Sequence, residues 1–129
     1  MYNAFDNSKP LLVARIFEQV FMLKHIGYVA AEIHGAVYMQ AHPDLQTDTT
    51  PISNFFEETI VNPTVLNLLR RRGDIDCGGV RYFAVGYGDF VQLILPFKSG
   101  HLSIGVSSRR NVPQLVDEVV RIIDHDPTS

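Results

Sequence analysis

The residues whose side chains could do chemistry are scattered along this sequence. Five histidines stand at positions 25, 34, 42, 101 and 125, and no two of them have the i, i+4 spacing of a helical metal site or the spacing of a zinc ribbon. Metal binding would need several of them, or Cys77 with carboxylates, around one ion. The pattern therefore predicts turn or surface histidines, with no metal and no cofactor.

The single cysteine lies in a predicted loop, Asp74-Ile75-Asp76-Cys77-Gly78-Gly79. A reactive cysteine needs a nearby cation or helix N-terminus to favour the thiolate, and acidic neighbours act in the opposite direction. The stretch Gly86-Tyr87-Gly88-Asp89 lacks the Lys-Ser or Lys-Thr pair and the following helix of a phosphate loop, so it predicts a turn between strands. We therefore predict that the chain is not an enzyme; a small enzyme that uses Cys77 or a histidine is an alternative.

Length and composition favour one domain. The 129 residues, 46% of them hydrophobic, are enough for a core, and we expect a single domain over 1–129 with flexible tails at 1–9 and 125–129. The net charge of −3 gives no field that would attract nucleic acid. One cysteine excludes an intrachain disulfide, the first residues lack the order of a signal peptide, and residues 11–23 are too short and polar to span a bilayer. These features predict a cytoplasmic protein.

The hydrophobic pattern predicts eight elements. A helix over 10–24, with Ser8 as a possible cap, precedes two strands within 28–41 that turn at His34-Gly35, and a loop over 42–50 follows. Helical character returns over 51–72, where Pro63 interrupts the backbone ladder and Asn62 could cap a fresh helix. After a loop over 73–79 come strands at 80–87, 90–97 and 101–106, then a helix that begins after Asn111. The order α-β-β-α-β-β-β-α predicts an α/β (α+β) fold, a three-layer sandwich around a mostly antiparallel five-stranded sheet.

Two groups of residues on the predicted middle helix are candidates for partner contact. Phe55 and Phe56 are adjacent, so both cannot face one core stripe, and one of them is a candidate interface anchor. Arg70-Arg71-Arg72 ends the helix, where cations interact favourably with the helix dipole, and partner contact is the other interpretation.

Three segments of the second half carry a resemblance to a known family. Residues 80–87 (VRYFAVGY), 91–96 (VQLILP) and 101–106 (HLSIGV) resemble the third, fourth and fifth strands of the roadblock family, also called the dynein light-chain roadblock type, which has a profilin-like fold. Bacterial and archaeal members of that family accompany small Ras-like GTPases. The likeness covers roughly residues 11–124. It implies a homodimer in which the third strands pair edge to edge and the middle helices lie over one face.

The resemblance implies the following sites and function. The dimer interface would contain Arg81, Tyr82, Phe83, Val85 and Tyr87, and the partner-binding residues would be Phe55, Phe56, Leu69, Arg70 and Arg71. We expect a non-enzymatic homodimeric adaptor or regulator that binds a small Ras-like GTPase or a signalling complex. The alternative is a profilin-like sensor domain that encloses a small molecule between the sheet and a helix, with the glycine-rich turns and the 42–50 loop at its mouth.

Overall fold

The architecture has three layers, with a sheet between two layers of helices. The computed structural model describes residues 9–42 and 49–127. Its elements are α1 (Leu11–Phe21), β1 (Ile26–Ile33), β2 (Ala36–Ala41), α2 (Pro51–Phe56), a π-helical turn (Glu57–Val61), α3 (Asn62–Asp76), β3 (Phe83–Gly86), β4 (Val91–Phe97), β5 (Gly100–Val106) and α4 (Val112–His125). We call the continuous helical run from α2 through α3 the middle helix. The predicted fold class and element order are confirmed.

The five strands form one antiparallel sheet in the order β2-β1-β5-β4-β3. The turn between β1 and β2 falls at His34 and Gly35, whose φ angles of 52° and 83° suit a tight hairpin turn, as the sequence predicts. β5 lies at the centre and all of its residues are buried. β3 lies at one edge and pairs only with β4 among the described residues.

The apolar core lies between one face of the sheet and the helices α1 and α4. Alternate residues of the strands point to this face, since side chains alternate along a strand. The buried core consists of Val13, Ile16, Phe17 and Val20 of α1, Leu115, Val116 and Val119 of α4, and Ile26, Val29, Ala31, Leu93, Leu95, Phe97, Leu102, Ile104 and Val106 of the sheet. The buried residues of α4 recur at helical spacing, whereas Val120 is 39% exposed, and the Asn111 side chain caps the helix by accepting from the Gln114 N–H at 2.9 Å.

The ends of several elements differ from the prediction. α1 begins after Pro10 without a side-chain cap, and the proposed cap, Ser8, lies outside the described residues, as does most of the predicted loop 42–50. The predicted interruption at Pro63 with Asn62 as a cap is wrong. In a regular α-helix the Pro63 ring would meet the preceding turn. A π turn widens the helix just before Pro63, and the Asn62 N–H donates to the Glu57 carbonyl, so the chain stays helical.

The middle helix also continues past the predicted stop at residue 73. Gly73 is buried, and a Cβ atom there would lie 2.8 Å from the backbone carbon of Gly79. The Gly73 carbonyl accepts from the N–H groups of Cys77 and Gly79, both at 3.0 Å. This glycine therefore serves close packing of the returning chain and does not end the helix.

Candidate functional site

One edge of the sheet is open for pairing. β3 is a four-residue edge strand, and its outer side has no strand partner within 9–42 and 49–127. Phe83 and Val85 pair with Ile94 and Gln92 of β4, so their half-buried side chains point to the face that the middle helix covers. An exposed edge of this kind presents backbone N–H and C=O groups to another chain.

Only two of the five predicted interface residues lie in the strand itself. Phe83 and Val85 belong to β3, whereas Arg81 and Tyr82 precede it and Tyr87 follows it in the turn to β4. The Arg81 guanidinium lies 5.7 Å from the centre of the Tyr82 ring. The Tyr82 ring is partly buried against the core, so it contacts the α1–α4 side of the sheet. The edge that can pair is thus shorter than the predicted strand over 80–87.

The middle helix carries an exposed row of apolar side chains. Most of the spacings between them, of three, four, seven and eight residues, are close to whole helical turns and so place them on one side of the helix. We define the apolar stripe as Ile52, Phe55, Phe56, Ile60, Leu68 and Ile75, which are 45% to 83% exposed. An exposed apolar row of this kind is a candidate surface for contact with another molecule.

The sequence-predicted partner residues divide into exposed and packed groups. Phe55 and Phe56 are both exposed, at 45% and 57%, because neither faces the sheet. Arg71 is exposed, whereas Leu69 and Arg70 are half-buried and an Arg70 guanidinium nitrogen lies 3.5 Å from the Gly100 carbonyl oxygen. The exposed part of the predicted set is therefore Phe55, Phe56 and Arg71.

The sheet-facing side of the middle helix is polar at the π turn and the start of α3, and it buries Leu66 one turn later. Glu58 and Asn62 have no exposed surface, and both face the sheet from the π turn and the start of α3. Glu58 Oε1 accepts from Asn62 Nδ2 at 2.9 Å and from His101 Nε2 at 2.7 Å, and its Oε2 accepts from the Tyr28 hydroxyl at 3.0 Å. The bond from the imidazole requires its proton on Nε2.

The buried layer extends along the sheet. Asn62 Nδ2 also lies 3.3 Å from Ser103 Oγ, which accepts from Gln92 Nε2 at 2.5 Å. On the other side of the imidazole, His101 Nδ1 lies 3.6 Å from Glu32 Oε1. We call Tyr28, Glu58, Asn62, Gln92, His101 and Ser103 the polar layer. These residues position the helix because each hydrogen bond is directional.

A second hydrogen bond ties the helix to the open edge. The Tyr87 hydroxyl donates to Glu57 Oε1 at 2.8 Å, and the Tyr87 ring packs against Phe90 with centres 5.3 Å apart. Burial raises the pKa of the Glu57 carboxyl, although the Tyr87 bond acts in the opposite direction. Burial together with the neighbouring Glu57 raises the pKa of Tyr87 to about 12. The end of β3 and the start of the π turn therefore form one connected surface.

Two cavities of different size lie between the sheet and the middle helix. The more enclosed one, lined in part by Tyr28, Asn54 and Gln92, has a volume of about 40 Å³, whereas small-molecule sites span roughly 300–1,000 Å³. A more open cleft of about 360 Å³ is lined in part by Phe56 and Tyr87. The enclosed volume does not favour the sensor alternative, and the open cleft adjoins the apolar stripe.

The described residues contain few groups placed for catalysis. Within 9–42 and 49–127, no three His, Cys, Asp or Glu side chains could hold a metal ion together. Cys77 is exposed, and its thiol lies 3.3 Å from an Asp76 carboxylate oxygen. The prediction of a turn or surface histidine is wrong for His101, because β5 is central and buries it in the polar layer. No helix in the described part of the chain is long and apolar enough to cross a membrane.

Comparisons with known proteins identify the fold. The sequence matches no protein-family model and no curated protein. The structure is similar to a Roadblock/LC7 domain from Streptomyces avermitilis, with a TM-score of 0.63 and 15% identity over 84% of this chain and 88% of that one. It is also similar to the gliding protein MglB from Thermus thermophilus, with a TM-score of 0.59 and 9% identity over 92% and 95% of the two chains. For MglC from Myxococcus xanthus the TM-score is 0.53, with 9% identity over 88% and 93%.

These likenesses confirm the resemblance at the level of the fold. The chain has a roadblock-type fold, and the match covers most of each solved chain.

Proposed function

We propose that this chain is a non-enzymatic adaptor or regulator that forms a homodimer and binds a small Ras-like GTPase or a signalling complex. One observation carries the proposal: an open β3 edge and an exposed apolar stripe are joined by the bond between Tyr87 and Glu57. The roadblock-type fold supports it, because members of that family pair through the third strand and accompany such GTPases. The exposed thiol of Cys77 supports a reducing, cytoplasmic location.

The proposed dimer pairs β3 of one protomer with β3 of its partner across a two-fold axis. Phe83 and Val85 would then join a continuous sheet, and Arg81, Tyr82 and Tyr87 would flank the junction. The two middle helices would lie over the same face and cover part of the apolar stripe. This arrangement removes the open edge and buries apolar surface, and both effects favour association.

The oligomeric state tests the first half of the proposal. Light scattering coupled to size exclusion should give a mass of twice 14.5 kDa. Leu68→Glu places a charge on the apolar stripe at a side chain that is 61% exposed, so the fold should persist while the dimer dissociates. The matched control is Met22→Glu, at an 80% exposed methionine after α1, which should remain dimeric. A wild-type monomer at all concentrations, or a dimer that tolerates Leu68→Glu, contradicts the proposal.

Binding to a GTPase tests the second half. Biolayer interferometry with purified Ras-like GTPases, loaded with GDP or a non-hydrolysable GTP analogue, should detect saturable binding. Phe55→Asp and Arg71→Glu alter exposed residues, and each should weaken binding at least about tenfold, whereas Met22→Glu should not. The predicted contacts Phe56, Leu69 and Arg70 belong to the same proposed surface. A dimer that binds none of the GTPases contradicts the proposed partner while leaving the dimer intact.

A further inference from the structure

A cleft on the α1–α4 side of the sheet concentrates positive charge. It lies between the residues that follow α1 and the turn that leads into α4, and it has a volume of about 560 Å³. Lys24, His25, Arg109 and Arg110 contribute to its lining. The Ser107 N–H donates to the His25 carbonyl at 3.1 Å and so joins the two walls. The volume falls within the range of small-molecule sites.

The basic side chains of this cleft exceed its acidic ones. Glu118 is the acidic residue in the lining, and its carboxylate pairs with the Arg110 guanidinium. Lys24 and Arg109 are exposed and form no ion pair with any residue in the described part of the chain. The protein as a whole carries a net charge of −3, so the cleft has the opposite sign to the chain.

The helix dipole adds to the positive potential. Arg109 and Arg110 lie directly before α4, where the aligned peptide dipoles place about half a positive charge. The first turn of α4 contains no acidic residue that would offset them. Cations are disfavoured at the N-terminus of a helix. Arg70-Arg71-Arg72, in contrast, lies near the C-terminus of α3, where cations are favoured. The dipole therefore gives no structural reason for the two arginines before α4.

Arg110 presents a buried donor with no acceptor. Its side chain is 9% exposed, and its Nε is buried without a hydrogen-bond partner in residues 9–42 and 49–127. Leaving a buried donor unsatisfied costs about 1–3 kcal/mol. Arg110 also lines the cleft, so a ligand there would lie beside a guanidinium that has an unused donor.

We propose that this cleft binds a phosphate group. A phosphate offers several acceptor oxygens and up to two negative charges, which match two exposed cations, a guanidinium and a helix N-terminus. The cleft lies on the opposite face of the sheet from the middle helix, so this proposal does not depend on the proposed dimer or GTPase.

Titration calorimetry with pyrophosphate and with inorganic phosphate at low ionic strength tests the site. Saturable binding should weaken as salt is added. Arg109→Gln and Lys24→Gln each remove one charge from an exposed residue and should raise the Kd at least about tenfold. Arg121→Gln, at an exposed arginine in the second half of α4 and outside the cleft lining, is the matched control and should bind like the wild type. Arg110 is left unchanged because its pair with Glu118 is structural.

Flotation with vesicles identifies the source of the phosphate. The two compositions are phosphatidylcholine alone and phosphatidylcholine with phosphatidic acid. Pyrophosphate binding without flotation assigns the site to a soluble phosphate compound. Flotation only with phosphatidic acid, lost in Arg109→Gln and Lys24→Gln, assigns it to a lipid headgroup. Absence of both, or equal weakening in Arg121→Gln, overturns the proposal.

Discussion

Replacing Glu58 by alanine should destabilise the protein more than any change on the apolar stripe. The Glu58 carboxyl accepts hydrogen bonds from Tyr28, Asn62 and His101 and has no exposed surface. Each bond contributes about 1 kcal/mol, and each buried donor that is left without its acceptor costs about 1–3 kcal/mol. Because three donors lose their acceptor, we expect Glu58→Ala to lower the free energy of unfolding by about 3–5 kcal/mol.

That loss would be a large part of the whole, because domains of this size are stable by about 5–15 kcal/mol. The measurement is urea unfolding followed by circular dichroism, which suits a chain without tryptophan. Protein concentration must be equal for all variants, since association would raise apparent stability.

Two further variants test whether the loss of stability comes from the hydrogen bonds of the polar layer or from removing any carboxyl on this helix. Glu58→Gln keeps the shape and one acceptor, so it should cost less than Glu58→Ala. Glu57→Ala removes a half-buried carboxyl that accepts from the Tyr87 hydroxyl, and should cost less than Glu58→Ala, about 1 kcal/mol. A loss below about 1 kcal/mol for Glu58→Ala, equal to that of Glu57→Ala, refutes the reasoning that the polar layer holds the helix.

Three further predictions each concern one residue and the stability of the fold. Burial raises the pKa of Glu57 above its ordinary 4.5, so the folded state holds this proton more tightly. Stability should therefore fall as pH rises from about 4.5, and Glu57→Gln should remove that slope in urea titrations at several pH values. Gly100→Ala would place a Cβ atom 1.8 Å from the Glu32 carbonyl oxygen, so its melting temperature should drop sharply or folding should fail, whereas Gly86→Ala has no atom within 4 Å and should melt like the wild type. Leu115→Ala empties a fully buried core position and should cost about 2–5 kcal/mol in chemical unfolding.

Periodic elements are the part of the fold that the sequence predicts well. In α4 the apolar residues recur with helical spacing behind the cap Asn111, and local signals and core packing agree. The middle helix is predicted less well because two local signals oppose tertiary packing. Pro63 predicts a break in the helix, but a π turn makes room for the ring and the helix continues. Gly73 predicts the end of the helix, but it is a glycine because the chain that returns past it leaves no space for a Cβ atom.

The polar layer escapes ordinary sequence reasoning because charged and polar residues are usually exposed. Glu58 and His101 are far apart in the chain, and only the fold brings them together. A signal is nevertheless present in β5, where His101 and Ser103 alternate with Leu102 and Ile104. A central strand in a three-layer fold is covered on both faces, so a polar face on that strand requires a polar partner from the covering helix.

Around the π turn, the middle helix presents Glu58 and Asn62 to the sheet and Phe56 and Ile60 to solvent, the reverse of an ordinary surface helix, and one turn later it buries Leu66. Glu58 and Asn62 hold it through directional bonds, and Phe56 and Leu68 are left outside. Burial of apolar surface stabilises a protein by about 25 cal/mol per Å², and the isolated chain lacks this stabilisation at the apolar stripe. A helix that is fixed by hydrogen bonds can present such a surface without collapsing onto its own sheet. The reversed orientation is therefore the physical reason to expect association at the middle helix.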